Sequence, residues 1–325
     1  MATEPFPIDF VVTWVDGNDP EHRRKRLIYA TGSESLHNDV GGETRYRSVG
    51  EIAFCIGSIL RFAPFVRKIF IVTDQQNPHL EAFVAHNFPD NSTPIEIVDH
   101  TVIFRGYEQY LPTFNSVAIE TMLWRIPGLS EHYVYMNDDF SIISPVGRGD
   151  FFDESGIPVS YSYWHSTVTA RLMRFLRRRK DGHKKLRFRD TMLNAADVLG
   201  SNRFLRINHT PQMMLRSFFE KFYQEHPEVM ENNIRHRFRS ASRVNVHCLQ
   251  STALALSGKC RIEPSPHKYI YIQPRPDGTL VEKQIQQMEK AGALFCCLNS
   301  LDFASEESRR QILEAITGRI GIEIV

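Results

Sequence analysis

The 325-residue sequence lacks any run of eighteen consecutive apolar residues, so it offers no candidate for a membrane-spanning helix. Cysteines are few and odd in number, and none has the C-x-x-C spacing of a zinc site, so we expect neither structural zinc nor a disulfide framework. The opening residues MATEPFP lack a basic leader and an apolar stretch, which argues against a secretory signal and leads us to expect a cytoplasmic location. The sequence also lacks internal repeats and low-complexity segments.

Net charge is nearly absent, at +1, but the charges are unevenly distributed. Residues 171–189 contain ten Lys or Arg residues and a single acid, Asp181. Such a run favours an anionic partner, although a solvated helix face followed by a mobile loop would also explain it. Because only Phe175 and Phe188 could stack on bases, we expect no nucleic-acid partner.

Apolar strand-like segments alternate with helical ones in the first half of the chain. Strands are predicted at 8–15, 68–73, 95–98 and 132–136, and helices at 20–30, from Ser48 to before Pro64, and at 114–125. This succession predicts an α/β fold with a mainly parallel sheet and helices on both of its faces.

The character becomes basic and helical after about residue 156. Thr210 and Pro211 suit the start of a helix whose Met214, Leu215 and Phe218 begin an apolar stripe that continues through Phe219 and Phe222. Residues 268–273 and 293–298 resemble strands again and could return to the sheet. We predict a core formed by residues 1–155 plus 260–325, with a mainly helical region at 156–259.

Acids follow three of the predicted strands. Asp16 follows the first strand, Asp74 the second, and Asp138 and Asp139 follow the strand at 132–136. The carboxyl ends of strands in an open α/β sheet form the rim where ligands bind, so we expect these acids to lie at a binding site.

The triplet Asn137-Asp138-Asp139 suits a hard divalent cation, Mg²⁺ or Mn²⁺, which prefers oxygen ligands and often shares them with substrate phosphates. Adjacent side chains of a strand point to opposite faces, so Asp138 and Asp139 could both reach one ion only where the backbone leaves the strand. Ordinary turn residues would explain these acids equally, and the same alternative holds for Asp16.

Five further residues are candidates for the site, and ordinary structural roles would explain them as well. Arg45 and Arg47 could clamp a diphosphate with their forked donors, or they could be ordinary surface arginines. Glu51 fits the third helical position of an S-x-x-E capping box, which would explain the acid without any ligand. His209 stands before the predicted helix at Thr210, where it could meet a bound anion and act as an acid-base catalyst, and His247 is the next candidate.

Taken together, these segments resemble the Stealth proteins, a family that includes bacterial capsule hexose-1-phosphate transferases and the lysosomal-enzyme N-acetylglucosamine-1-phosphotransferase. The resemblance lies in four regions that span nearly the whole chain. It is carried by IDFVVTWVDGNDP at 8–20, by residues 43–78 and 111–140, by NHTPQ and HRFRS, and more faintly by KYIYIQ and LFCCLNS.

The resemblance implies a GT-A-like, Rossmann-like core and an enzyme that transfers a hexose-1-phosphate, most often that of an N-acetylhexosamine, from a UDP-sugar to a carbohydrate hydroxyl. UMP would be released, and residues 156–259 would bind the acceptor. The basic run at 171–189 would hold a growing phosphate-linked polymer or touch the inner face of an anionic membrane. We assign catalysis to His209, Asp16 and Asp138, and metal binding to Asp138 and Asp139. Substrate and phosphate contacts are assigned to Trp14, Arg45, Arg47, Glu51, Asp74, Asn115, Arg239 and His247.

Two other functions stay open at this point. A conventional glycosyltransferase would use the same donor but attack the anomeric carbon and release UDP. A non-catalytic polyanion-binding protein would depend on the basic run at 171–189.

Overall fold

A computed structural model of the protein describes residues 6–30, 50–181, 188–264, 268–275, 278–279, 281–289, 292–301 and 304–324, without the side chains of 178–181. The described strands are β1 Ile8–Thr13, β2 Lys68–Thr73, β3 Ile95–Asp99, β4 His132–Asn137, β5 Phe140–Ile142, β6 Val159–Ser160, β7 Tyr163–Ser166, β8 Arg203–Arg206, β9 Gln212–Leu215, β10 Arg261–Ile262, β11 Tyr269–Ile272 and β12 Phe295–Leu298. The described α-helices are α1 Pro20–Tyr29, α2 Glu51–Phe62, α3 Glu81–Asn87, α4 His100–Ile103, α5 Ser116–Met122, α6 Thr167–Asp181, α7 Phe188–Val198, α8 Arg216–Glu225, α9 Pro227–Ile234, α10 Val246–Leu256, α11 Val281–Met288 and α12 Glu306–Ile320.

The central sheet has five strands in the order β3-β2-β1-β4-β9. The first four are parallel, and only β9 runs antiparallel, against β4. This arrangement confirms the predicted α/β fold with a mainly parallel sheet, and the strands predicted from the first half of the chain are all present.

Side chains alternate between two apolar cores, one on each face of this sheet. In β1, Phe10 and Val12 belong to the core that contains residues of α2 and α12, whereas Val11 belongs to the core that contains residues of α5 and α10. Each of these three side chains is fully buried and contributes roughly 1.5–3 kcal/mol to folding. The sheet is therefore covered by helices on both faces, as predicted.

A second sheet joins β11, β12 and β5. The segments at 268–273 and 293–298 do form strands, but they pair with β5 instead of returning to the central sheet. Since only Asp138 and Asp139 separate β4 from β5, the chain passes from one sheet to the other at this acid pair.

The helix predicted from Thr210 is wrong in its first part. Residues 212–215 form strand β9, and helix α8 begins only at Arg216. Met213 packs into one core and Met214 into the other, which is the period of two of a strand. Because β9 belongs to the central sheet, the segment 156–259 contributes a strand to the core. The predicted division of the chain into a core and a helical region at residues 156 and 259 stays a prediction.

Helix α2 also begins later than predicted. Its first residue is Glu51 and its N-cap is Gly50, whose φ of 91° is left-handed and favours glycine. Glu51 is therefore the first helical residue and not the third residue of a capping box, while Ser48 lies outside the described residues. Among the described helices, none combines the length and apolar character needed to cross a bilayer.

Candidate active site

The predicted acids meet at one rim of the central sheet. Thr13 in β1 is level with Val72 in β2 and with Asn137 in β4, so the three parallel strands end side by side. Asp16, Asp74 and the pair Asp138-Asp139 follow these ends, which confirms that they share the carboxyl edge of the sheet.

Asp138 and Asp139 form the turn between β4 and β5. The backbone leaves the strand there, which is the condition that lets two neighbouring carboxylates serve one ion. Oδ2 of Asp139 accepts a hydrogen bond from Sγ of Cys297 at 3.5 Å, and its buried Oδ1 has no hydrogen-bond partner among the described residues. This turn therefore has spare acceptor capacity in a desolvated place.

Burial raises the pKa of both carboxyls. The pKa of Asp139 rises to about 6, first because of desolvation and then because of the charge of Glu51, while the Cys297 hydrogen bond partly opposes the rise. The pKa of Asp138 is well above its usual range, owing to desolvation and to the charges of Asp139 and Glu51. Three acids thus repel one another at the rim.

This donor set fits a divalent cation, because the carboxylates are crowded, desolvated and incompletely hydrogen-bonded. No set of three His, Cys, Asp or Glu side chains in the described part of the chain is placed to hold a metal ion. Protein ligands would therefore be the two carboxylates, and phosphate oxygens of a substrate would complete the shell. Glu51, only 8% exposed, lies in the first turn of α2 and acts on this pair through its charge.

The carboxylate of Asp16 stabilises a turn, which is one of the two roles that the sequence allowed for this residue. Its Oδ1 accepts a hydrogen bond from the backbone N–H of Asn18 at 2.8 Å. Gln76, beyond the end of β2, fixes this loop: its Oε1 accepts from the Asp16 N–H at 2.9 Å, and its Nε2 donates to the Asp16 carbonyl and to Oδ2 of Asp19, both at 3.0 Å. Sequence reasoning missed Gln76, and its position just past a strand end was the available signal.

Asp74 and Trp14 occupy neighbouring positions on the rim. Oδ2 of Asp74 lies 3.3 Å from Nζ of Lys25, so this acid ties helix α1 to the end of β2 and is already paired. Trp14 is 8% exposed, and its buried Nε1 has no hydrogen-bond partner among the described residues. Trp14 thus offers a donor beside the acids, whereas Asp74 has a structural partner.

A second polar cluster lies on the other side of β4, around Glu120 and His247. Nε2 of His247 is 3.2 Å from Oε2 of Glu120, and the imidazole stacks on the ring of Tyr135 at 4.6 Å. The Tyr135 hydroxyl in turn lies 3.4 Å from Oε1 of Glu120 and donates to Oδ1 of Asn137 at 2.5 Å. This cluster therefore contacts Asn137, which directly precedes the acid turn in the chain.

Positive charge keeps Glu120 ionised despite its burial. Desolvation raises its pKa, but the hydrogen bond and charge of His247, together with Arg243 and Arg239, outweigh it and lower the pKa. The predicted residues Arg239 and His247 thus come together around an acid that the sequence analysis missed. The only sequence signal was an acid inside the apolar stretch VAIETMLW.

Asn115 is fully buried and links α5 to the loop that precedes α10. Its Nδ2 donates to the carbonyl of His236 at 3.1 Å, and its Oδ1 has no hydrogen-bond partner within the described part of the structure. It therefore helps to position the loop that carries Arg239. Arg45 and Arg47 lie outside the described residues.

His209 does not stand at a helix N-terminus, because the residues after it lead into β9. Its half-buried imidazole packs among Tyr271, Phe188 and Phe140, with ring centroids 5.0, 5.7 and 6.5 Å away. Phe140 directly follows Asp139, so the ring lies beside the acid turn. Burial lowers the pKa of His209 and so favours its neutral imidazole, the form that a general base requires.

Two family models match the first half of the chain. Residues 6–34 match the Stealth protein CR1 model, conserved region 1, and residues 45–160 match the Stealth protein CR2 model, conserved region 2. These regions carry the β1 loop, the start of α2 and the acid turn. The predicted third and fourth regions stay predictions.

Several bacterial phosphotransferases are similar over most of their length. The receptor polysaccharide phosphotransferase WefC of Streptococcus oralis is 32% identical over 78% of this chain and 80% of its own. The exopolysaccharide phosphotransferase cps2G of Lactiplantibacillus plantarum is 32% identical over 74% and 73%, and the capsular polysaccharide phosphotransferase fcs1 of Haemophilus influenzae is 29% identical over 89% and 76%. Among solved structures, the galactosyltransferase LgtC aligns with a TM-score of 0.44 at 10% identity, over 98% of this chain and 97% of the other.

The similarity to these polysaccharide phosphotransferases defines a transferase of the phosphotransferase class. The chain belongs to the Stealth protein family.

Proposed function

We propose that this protein transfers a hexose-1-phosphate, in the first instance that of an N-acetylhexosamine, from a UDP-sugar to a hydroxyl group of a carbohydrate acceptor. UMP leaves, and a phosphodiester forms in a capsular polysaccharide or exopolysaccharide. The similarity to receptor polysaccharide, exopolysaccharide and capsular polysaccharide phosphotransferases supports the sugar-phosphate chemistry and the polysaccharide product. The cytoplasmic location is part of the same proposal.

The observation that carries this proposal is the acid turn Asp138-Asp139 at the carboxyl rim of the parallel sheet. The turn is desolvated, and Oδ1 of Asp139 accepts no hydrogen bond from the part of the chain that the structure describes. A divalent cation would supply the positive charge that these crowded carboxylates lack, and the oxygens of a diphosphate would complete its ligand shell. A divalent cation held by Asp138 and Asp139 would neutralise diphosphate charge. Every other contribution comes from the side chains of the chain itself.

The acceptor oxygen attacks the phosphorus that carries the sugar. A new P–O bond forms, the bond from that phosphorus to the bridging oxygen breaks, and the bridging oxygen leaves with UMP. His209 takes the proton of the attacking hydroxyl. The bond between the sugar and its phosphate is never broken, so the anomeric configuration is retained.

Positive charge lies near the end of β4, where negative charge builds up on the phosphoryl oxygens. It comes from Arg239 and Arg243 together with the pair of Glu120 and His247. Because Glu120 holds His247, and the imidazole stacks on Tyr135, these donors are oriented before substrate binds. Preorganised charge of this kind lowers the barrier without reorganisation during the reaction. Trp14 contributes its indole N–H to the donor substrate.

The experiment is to incubate the purified protein with UDP-N-acetylhexosamines, Mg²⁺ and capsule-type oligosaccharide acceptors, and to identify the released nucleotide by chromatography. Acceptor-dependent UMP together with a phosphodiester signal in the ³¹P NMR spectrum of the product is the expected result. Release of UDP would instead identify a conventional glycosyltransferase and would refute the proposal.

A matched pair of variants tests the role of the acid turn. Asp138→Asn removes a carboxylate from the turn and should abolish UMP release. Asp90→Asn makes the same chemical change at an exposed position away from the rim and should leave activity unchanged. Equal activity of the two variants would remove Asp138 from the mechanism.

A further inference from the structure

The end of strand β12 holds Asp139 through its side chain and its backbone. Sγ of Cys297 donates a hydrogen bond to Oδ2 of Asp139 at 3.5 Å, and the N–H of Leu298 donates to the Asp139 carbonyl at 2.8 Å. Two successive residues of one strand therefore bind both parts of this acid. Because β12 belongs to the second sheet, that sheet fixes the Asp139 carboxyl at the rim of the central sheet.

Asn299 acts on the same carboxyl from the position that follows β12. Its amide lies close to Asp139 and opposes the rise in the pKa of that acid. The hydroxyl of Ser300 donates to Oδ1 of Asn299 at 2.7 Å, and the Asn299 N–H donates to the Ile272 carbonyl at 2.9 Å. Since Ser300 occupies the amide oxygen and β11 holds the backbone, Asn299 is itself fixed in place.

These contacts leave one oxygen of Asp139 for a further ligand. Oδ2 accepts from the Cys297 thiol, whereas Oδ1 is buried and accepts no hydrogen bond from any described residue. A thiol is a weak, uncharged donor, so it orients the carboxylate without neutralising it as a lysine or an arginine would. An oriented carboxylate that keeps its charge is a suitable ligand for a divalent cation.

We propose that Cys297 and Asn299 are positioning residues that hold the Asp139 carboxylate with Oδ1 turned towards the cation. This proposal rests on the cation site of the proposed function. Replacing a residue that orients a metal ligand typically weakens metal binding by about 10- to 100-fold, because the ligand loses its orientation. Both residues lie in the segment LFCCLNS, so the proposal gives a function to a segment from which the sequence analysis selected no site residue.

The test is Mn²⁺ binding to the purified protein without any substrate, measured from the electron paramagnetic resonance signal of free Mn²⁺. Cys297→Ala should weaken Mn²⁺ binding by about tenfold, and Cys297→Ser, which keeps a donor, should recover part of the loss. Asn299 is partly exposed, so Asn299→Ala tests the same role without a change in the core, and it should weaken binding severalfold. In the transfer assay, Cys297→Ala should need more Mn²⁺ for half-maximal activity, with kcat at saturating Mn²⁺ close to that of the unaltered protein.

The matched control is Cys296→Ala, which removes the neighbouring thiol. Cys296 is also buried, but adjacent side chains of a strand point to opposite faces, so this control should bind Mn²⁺ like the unaltered protein. Circular dichroism melts establish that each variant is folded.

Three results would overturn the proposal: no Mn²⁺ binding by the unaltered protein, unchanged affinity in both Cys297→Ala and Asn299→Ala, or equal losses in Cys297→Ala and Cys296→Ala. Failure of the proposed reaction gives a different result. If no UMP is released with any donor, but Cys297→Ala and Asn299→Ala still weaken Mn²⁺ binding and Cys296→Ala does not, the positioning role is upheld and only the reaction is refuted.

Discussion

The ionised carboxylate of Asp139 should lower the free energy of unfolding of the protein. Burial and the charge of Glu51 raise its pKa from the ordinary 3.8 to about 6, so the ionised carboxylate is less favourable in the folded state than in the unfolded chain. One pKa unit corresponds to about 1.4 kcal/mol, which puts the cost above pH 6 at about 3 kcal/mol as an upper limit. Asp139→Asn removes that charge with little change in shape.

The assay is urea denaturation at pH 7.5 in EDTA, followed by the same measurement with Mg²⁺. In EDTA, the free energy of unfolding of Asp139→Asn should exceed that of the unaltered protein by about 1 kcal/mol or more. This is about a third of the upper limit. Mg²⁺ should stabilise the unaltered protein and have little effect on the variant, because in the proposed function the cation would bind the folded state through this carboxylate.

The pH dependence gives an independent check. Because the pKa of Asp139 is higher in the folded state, the folded state binds more protons between about pH 6 and 3.8, and this group adds stability as the pH falls through that window. The advantage of Asp139→Asn should therefore shrink as the pH is lowered from 7 to 4. A variant that is less stable than the unaltered protein in EDTA at pH 7.5 would refute the reasoning.

Three further results are expected. His209→Ala should lose transfer activity while its thermal melt stays within a few degrees of the unaltered protein, and near-normal activity would end its assignment as the base. Glu120→Gln should lose roughly 3 kcal/mol of stability in urea denaturation, because it leaves the buried cations near His247 without their counterion. An unchanged denaturation midpoint would show that the pair of Glu120 and His247 is not coupled to folding. His100, whose pKa burial lowers to about 4, should make the protein less stable as the pH falls from 6.5 to 4, and His100→Gln should lack that slope in denaturation curves measured across this range.

The sequence predicts the rim well because the rim depends on local patterns. Buried parallel strands are short apolar runs, and the residues after them must lie at a common edge once the strands align. The sequence alone therefore places Asp16, Asp74 and Asp138 correctly at this edge. The turn role of Asp16 and the ion pair of Asp74 depend on Gln76 and Lys25, which no local pattern connects to them.

The region around His209 was harder to predict because two local signals agree on the wrong element. Thr210 and Pro211 suit a helix start, and Met214, Leu215 and Phe218 have helical spacing, but Met213 and Met214 pack into opposite cores as strand residues do. A short apolar run does not distinguish a strand from a helix, and pairing with β4 decides the outcome.

The partnership of Glu120 with His247 depends on a contact between residues 127 positions apart, which no local pattern encodes. Helix α10 begins at an Asn245 cap, whose side chain accepts from the N–H of Cys248, and this start points the second helical residue, His247, at α5. The sequence shows that His247 follows a helix cap, but the acid that holds it becomes visible only when the two helices are packed on the same face of the sheet.

The position of the acid turn explains why both carboxylates can act together. If β4 continued as a strand, Asp138 and Asp139 would point to opposite faces, and one of them would enter an apolar core. Instead β5 joins the second sheet through β12, and the passage between the sheets forces a turn at these two residues. The same second sheet supplies Cys297, which donates to Asp139, so the packing that creates the turn also desolvates it. The raised pKa values and the capacity to hold a cation therefore have one structural cause, the change of sheet between Asn137 and Phe140.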